Sequence, residues 1–355
     1  MLLETINEEL KKRIIVFSHN SVLGHILGKT IINSSFSMLY HNLLSYDGCE
    51  FYGISTMDIE EALYTYNDCI PIINYDDDDI VDENGKFNAD QLYILSDNRE
   101  TLGIRDRKMS FIKQLVYREN INYDCFTVFV FSQSGTSKFV IDELNKYNDL
   151  YSTNITCFSY SYRDDIEEII EIIKKTEGKK KILLLSSDDG KIENQDEDVF
   201  LSALSFKLNG CIDKETEIFA EIMNPSNLNS LQNFGIMSVI ISNRILSLFM
   251  VQLLTHPGSK KFYRDLISTN DKNSRDSLDL DIVKASDVLE FDGQSIKFSC
   301  KSELVQSFFL ASNKSIMCIG LKFEGSKEIL FLCDEMDKKE EIILNKNDEL
   351  ILIKY

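Results

Sequence analysis

VFSHNSVLGHILGKTIINSSFSMLYHNLL, residues 16–44, is written a second time as VIISNRILSLFMVQLLTHPGSKKFYRDLI, residues 239–267. The two stretches align without a gap at a constant offset of 223 residues. Asn20 falls on Asn243, Leu23 on Leu246, Tyr40 on Tyr263 and Leu43 on Leu266. Self-similarity at a fixed spacing means one structural unit built twice. The segments downstream of each copy agree more loosely. IEEALYTYNDCIPIINYDD from Ile59 matches KSELVQSFFLASNKSIMCIGLKFEG from Lys301, and GKFNADQLYILSD from Gly85 matches KNDELILIKY from Lys346. About 120 residues of α/β pattern precede the second copy and almost none precede the first. The chain therefore reads as one whole unit preceded by the back half of another.

Outward from the repeat, each copy resolves into elements. Residues 14–18 (IIVFS) read as a short strand, and residues 20–45 as a helix or helix pair broken near Asn33 to Ser35. The matching break in the second copy is His256-Pro257-Gly258, where proline and glycine end a helix. NRILSLFMVQLL is apolar nearly all round, so it must be covered on several sides, by lobes or by another subunit. The 46–100 segment reads as a small α+β lobe with strands CIPIINY and QLYILSD, and 101–122 as a charged linker, partly helical. From 123 to 275, strands such as CFTVFVF, TNITCFSYS, KKILLLSS, TEIFAEIM and IMSVIIS alternate with amphipathic helices. Strands apolar throughout and separated by helices call for a parallel sheet covered on both faces. Residues 276–355 form a second small lobe. The fold class is α/β: a Rossmann-like parallel sheet with a crossover helix, and two small α+β lobes. Residues 1–45 are the end of a first Rossmann lobe with its own crossover helix.

Composition narrows the functions. The chain has 355 residues and a formal charge of −20, from 38 basic and 58 acidic side chains. Phosphate binding needs a basic surface, so nucleic acid and anionic membranes are poor partners, and cations or basic proteins are favoured. The longest apolar stretch, Ile245 to Leu254, falls well short of the ~20 residues that span a bilayer. Eight scattered cysteines with no C-x-x-C pair read as buried free thiols in a reducing compartment. Four histidines make no zinc motif.

Candidate chemistry gathers at the ends of strands. The turn after CFTVFVF stands where a Rossmann fold holds a dinucleotide, with Asp164 beyond the second strand as a further cofactor-binding candidate. Read against G-x-G-x-x-G, however, the glycine positions are Ser132, Ser134 and Ser137, and Gly135 is out of register. NAD is disfavoured accordingly. Ser134 also lacks the flanking glycines and nearby histidine of a nucleophile elbow. Hard cations want converging carboxylates. The acidic candidates for Ca²⁺ are Asp188, Asp189 and Glu221 at the sheet edge, and Asp76, Asp77, Asp78 and Asp79 in the first lobe. IVDENGKFNADQ fails as an EF-hand loop, because its first and twelfth positions are Ile80 and Gln91. In FAEIMNPSN, Asn224 is either a ligand-binding residue at a strand end or a helix cap.

In this order, these weak motifs resemble the RCK domain, the regulator of K⁺ conductance. They are a Rossmann-like unit, a strand ending E-I-x-x-P-x-N at Glu221 to Asn227, VIISN leading into an apolar crossover helix, and a small lobe. MLYHNLLSYDGCEFYGI, IEEALYTYNDCIPIINY and ILLLSSDD…DEDVFLSALSFKLN look closest to the gating region of CASTOR/POLLUX-type ion channels, whose second domain also lacks the glycine fingerprint. Three features depart from the pattern: there is no pore helix pair and no first Rossmann half, and the interval between the second helix and KKILLLSS is short. The resemblance implies a cytoplasmic, non-enzymatic gating-ring module for a cation or K⁺ channel or transporter. Its partners would be further copies of itself, in a tetramer-based ring, and a channel pore domain or transporter subunit. It implies neither nucleic acid binding nor insertion in the membrane. The alternatives are an NAD(H)-binding sensor or oxidoreductase, and a scaffold with a vestigial site.

Overall fold

The structure is a computed structural model that describes residues 17–45, 48–55, 57–75, 91–97, 102–105, 112–118, 121, 125–187, 195–236, 238–255, 259–269 and 278–355. The strand expected at 14–18 lies mostly outside this range. So do the His256-Pro257-Gly258 break, the loop IVDENGKFNADQ up to Asp90, and Asp76, Asp77, Asp78, Asp79, Asp188 and Asp189.

The α/β unit holds a five-stranded parallel sheet made of β4 (Phe126–Phe131), β5 (Ile155–Tyr160), β6 (Lys180–Leu184), β7 (Thr216–Ile222) and β8 (Ser238–Ile241), in the order β5-β4-β6-β7-β8. Alternate residues feed two layers, as the two-residue period of a strand requires. Phe129, Phe131, Ile182, Leu184, Ala220 and Ile222 meet α5 (Ile166–Lys175), α6 (Glu197–Leu208) and α7 (Leu228–Asn233). Val128, Val130, Leu183, Leu185 and Phe219 meet α4 (Thr136–Tyr151) and the larger core shared with the rest of the chain. This is the 2-1-3-4-5 arrangement, one strand short of the six-stranded doubly wound order. The short interval before KKILLLSS leaves no room for the missing strand, so β5 is an edge.

The repeat folds as a repeat. The first copy gives α1 (His19–Ile32) and α2 (Ser35–Leu44); the second gives α8 (Ser242–Thr255) and α9 (Lys260–Ile267). Both ends of α1 and α8, and the last residues of α2 and α9, match at the 223-residue offset. The small lobes also agree. β1 (Glu50–Ser55), β2 (Cys69–Tyr75) and β3 (Gln91–Ser96) form an antiparallel sheet in the order β1-β3-β2. β9 (Asp279–Lys284), β11 (Ile316–Lys322) and β14 (Glu349–Lys354) are ordered β9-β14-β11, with β12 (Leu330–Phe331) added outside β11. Glu50 pairs with Ser96 as Asp279 pairs with Lys354. The register slips between Pro71 and Ile73 in β2, and between Cys318 and Gly320 in β11. These are the third and fifth positions of two seven-residue strands, so even the bulge is duplicated. One helix crosses each sheet, α3 (Ile59–Thr65) and α11 (Lys301–Ala311). The second lobe also has the short α10 (Ala285–Val288) and a two-stranded sheet of β10 (Ser295–Phe298) and β13 (Ile342–Asn345).

Two expectations are corrected. The linker is not helical at its described residues 102–105 and 112–118. Ile104 bridges to Tyr66 and Tyr117 to Leu289, so the backbone pairs with the lobes instead of with itself. Arg105 is buried there, donating from Nε to Asp337 (2.9 Å), from Nη1 to the Leu63 carbonyl (2.8 Å) and from Nη2 to Ser302 (2.8 Å). Nor are all cysteines thiols. Cys49, before β1, is disulfide-bonded to Cys333, after β12; the other six are free. Packing of lobe on lobe brings together two residues 284 apart in sequence, a pairing that spacing alone does not reveal.

Candidate functional site

Open α/β sheets bind ligands outside the carboxyl ends of their strands, at the point where strand order reverses. Here that point lies between β4 and β6; of the residues singled out from sequence, Ser132, Ser134 and Gly135 stand in the turn after β4, Asp164 follows β5 and Glu221 lies at the end of β7. The turn after β4 is filled by its own hydroxyls. Ser132 Oγ accepts from the Ser134 amide (2.9 Å) and lies 3.1 Å from Ser134 Oγ, while Ser134 Oγ accepts from the Thr136 amide (3.3 Å). These amides are donors that a helix N-terminus would otherwise turn on a phosphate. Gly135 keeps an ordinary helical φ of −68°, and a Cβ there would lie 2.9 Å from Asn20 Nδ2, so the start of α1 covers the turn.

Tyr162 closes the crevice from the other layer. Its ring lies 6.3 Å from that of Phe131, and its hydroxyl donates to the Leu185 carbonyl (2.8 Å), crossing the end of β4 towards β6. Burial holds that hydroxyl well above the ordinary phenol range, and the Glu221 and Asp198 carboxylates push it the same way, so it stays a neutral donor. Asp164 stands exposed after β5 and is spent on its own turn, accepting from the Ser161 amide (2.6 Å). The residues here do not fit a dinucleotide: the amides are taken, the approach is covered and the acid is engaged by its own turn.

Glu221 is buried at the end of β7 and accepts from Ser242 Oγ at 2.5 Å. Asn224 is a cap: its Oδ1 accepts from the Ser226 amide (3.0 Å). Buried Asp196 holds this corner, accepting from the Met223 and Asn224 amides (2.8 and 3.1 Å) and from Asn227 Nδ2 (2.7 Å). Among the described residues no three His, Cys, Asp or Glu side chains gather as a metal site, so Glu221 alone does not make a calcium site. Among the described residues Ser134 hydrogen-bonds only within its own turn and no acyl-transfer triad gathers around it.

A second polar cluster joins the two copies, and no motif announces it. Glu143, fully buried on α4, pairs with His25 Nδ1 of α1 (2.6 Å) and accepts from the Thr269 amide beyond α9 (2.8 Å). Four residues on, Lys29 pairs with Asp279 (2.7 Å), which also accepts from Tyr151 (2.6 Å). The repeated tyrosines cap each other's modules. Tyr40 donates to the Leu266 carbonyl at the end of α9 (3.1 Å). Tyr263 donates to Gln252 (2.9 Å), whose amide donates to the Leu44 carbonyl at the end of α2 (3.1 Å). Equivalent surfaces thus meet reciprocally, the signature of an isologous pair formed within one chain. A signal for this cluster exists in the sequence: His25 and Lys29 stand in an apolar helix, and Glu143 lies within the buried stripe of Val140, Leu144 and Tyr147.

Among the described residues no helix is long and apolar enough to cross a membrane. No family model and no curated protein matches the chain. Solved structures do. The chain is similar to the crystal structure of the GsuK RCK domain, at 10% identity over 97% of this chain and 69% of that one, with a TM-score of 0.33. It is also similar to the GsuK channel bound to NAD (11% identity, 88% of this chain and 51% of that one, TM-score 0.28) and to the GsuK channel (10%, 94% and 55%, TM-score 0.30). The chain spans about half the length of those two channel chains. The architecture stands on the strand order and register of this chain itself.

Proposed function

We propose that this chain is a non-enzymatic regulatory module of a cation channel or transporter, of the K⁺ type, acting on a pore carried elsewhere. The observation that carries the reading is the reciprocal junction of two register-matched modules, closed by the Tyr40 and Tyr263 caps. Such a pair is a two-state element in waiting: a ligand that prefers one packing shifts the other site by a coupling of ~1–3 kcal/mol. The plugged strand edge supports a scaffold that senses and does not catalyse. The ring is tetramer-based, cytoplasmic, and built by the crossover helices and small lobes.

Ca²⁺ is the proposed ligand, favoured by the charge of −20, with Asp188, Asp189 and Glu221, or Asp76 to Asp79, as the candidate ligands. Titration calorimetry and light scattering with Ca²⁺ and with Mg²⁺ test this. Binding and a mass change specific to Ca²⁺ are expected. Equal response to the two ions, or none, removes the calcium assignment. A thermal shift with NAD(H), lost on Asp164→Ala, would replace it with the dinucleotide reading.

A further inference from the structure

Among the described residues the internal symmetry leaves one surface uncovered. On α1 the stripe Gly24, Leu27, Gly28 and Ile31 is buried, and it lies against α4. A Cβ on Gly24 would sit 2.4 Å from Phe139 Cβ, and one on Gly28 2.7 Å from Glu143 Cβ. The 223-residue offset carries this stripe to Ser247, Met250, Val251 and Leu254 on α8. The inner faces match: Val22, Ile26, Lys29 and Thr30 are buried, and so are Ile245, Phe249, Gln252 and Leu253. The outer faces do not. Leu27 and Ile31 are 1% and 0% exposed, whereas Met250, Val251 and Leu254 are 46%, 41% and 71% exposed. The first crossover helix has a Rossmann helix on its outer side, and among the described residues the second has none.

We infer that this face of α8 docks the first helix of a Rossmann-like α/β unit other than the one formed by residues 126–241. The reciprocal junction makes the equivalence specific, since each module already contacts the other through matching residues. Whatever covers α8 therefore stands as α4 stands on α1. The substitutions at the interface describe that helix. His25, which reaches Glu143, becomes Leu248 in the second copy, so the docked helix carries an apolar residue where α4 carries its buried acid. Gly24 and Gly28 become Ser247 and Val251, so it presents smaller side chains where α4 presents Phe139 and Glu143. The inference names the partner of the regulatory module and rests on that reading. Its test reads a contact and not a current, so either can fail alone.

The experiment places a photo-crosslinking benzoyl-phenylalanine at Val251, and separately at Leu254, in the full chain produced in its source cells, and sequences the joined peptide by mass spectrometry. The expected product is a helix that follows an apolar strand and a tight turn in an α/β sequence, with an apolar residue opposite Leu248. Met250→Lys in the Leu254-labelled chain lowers its yield by about tenfold, as loss of a central contact does. A label at exposed Glu171 on α5 gives none of it. Met250 is exposed, so Met250→Lys leaves the thermal midpoint of the isolated chain unchanged; Ser247→Glu serves as a second disrupting variant. No product, a product with α8 of a second copy, a lipid adduct, or a peptide from any other structural context overturns the inference.

Discussion

The two copies of the crossover-plus-lobe module share helix ends, strand lengths, pairing register and a bulge, and they differ where each meets a neighbour. In the first lobe β2 is an edge strand, and Pro71 stands at its bulge, a place that tolerates the missing amide. In the second lobe the equivalent strand carries β12 on its far side, with Gly320 paired to Phe331. A Cβ on Gly320 would lie 3.2 Å from the Leu330 carbonyl and 3.1 Å from Ile351 Cδ1, where the first lobe accommodates Ile73. The added strand is thus admitted by removing a side chain. The same exchange separates the crossover helices: two glycines let α1 lie against α4, while Ser247 and Val251 stand in their places on α8. A duplicated frame holds its register while single positions decide what may approach it.

The two copies are set apart most severely at the group only one of them uses. Glu143→Ala strands His25 and the Thr269 amide in a buried site and should cost on the order of 3 kcal/mol in denaturant unfolding. Loss within 0.5 kcal/mol would mean that the junction is not closed as described. Next comes the helix contact. Gly24→Val should cost about 1–3 kcal/mol through overpacking against Phe139, and Ser247→Val in the isolated chain less than about 0.5 kcal/mol. Equal costs would erase the asymmetry between α1 and α8. The reciprocal caps report on the symmetry itself: Tyr40→Phe and Tyr263→Phe should each cost about 1 kcal/mol, measured by the same unfolding curves. A large difference between them would show that one cap dominates.

The smallest effect is a pH dependence. Burial works to raise the Glu349 carboxyl, but donors on Asn33 and Ser35 and the Lys322 charge outweigh it and hold it below the usual range. A depressed folded-state pKa gives stability that is present above the unfolded value of about 4.3 and is lost as pH falls through the folded one. The thermal midpoint should therefore fall on acidification below that value, and Glu349→Gln should flatten this part of the profile. An unchanged profile in the variant would remove Glu349 as the bond between the α1–α2 break and the second lobe.

Much of the fold is legible in the sequence because periodicity and breakers act locally. The apolar runs CIPIINY and QLYILSD mark β2 and β3, and the break at Asn33 and Ser34 separates α1 from α2. β1 escapes such a reading: EFYGIS has a glycine and polar ends, and it becomes a strand by pairing along its whole length with β3. The linker misleads because charge near Arg105 suggests solvent, whereas its guanidinium finds three acceptors from two lobes. The glycine-poor turn is legible as a poor phosphate cradle. That Asn20 and Tyr162 cover it is not, because both contacts arise from tertiary packing. The partners of Glu143 and the Cys49–Cys333 bond escape for the same reason: each joins segments far apart in the chain.

Arg105 carries a mechanical consequence. Its guanidinium is shared between the end of α3 and the Ser302–Asp337 pair, and the disulfide fastens the same two lobes a second time. The connecting segment acts as a strut, so the paired lobes travel as one rigid block. A load on either lobe is therefore passed to the other at two points, the Arg105 guanidinium and the Cys49–Cys333 bond.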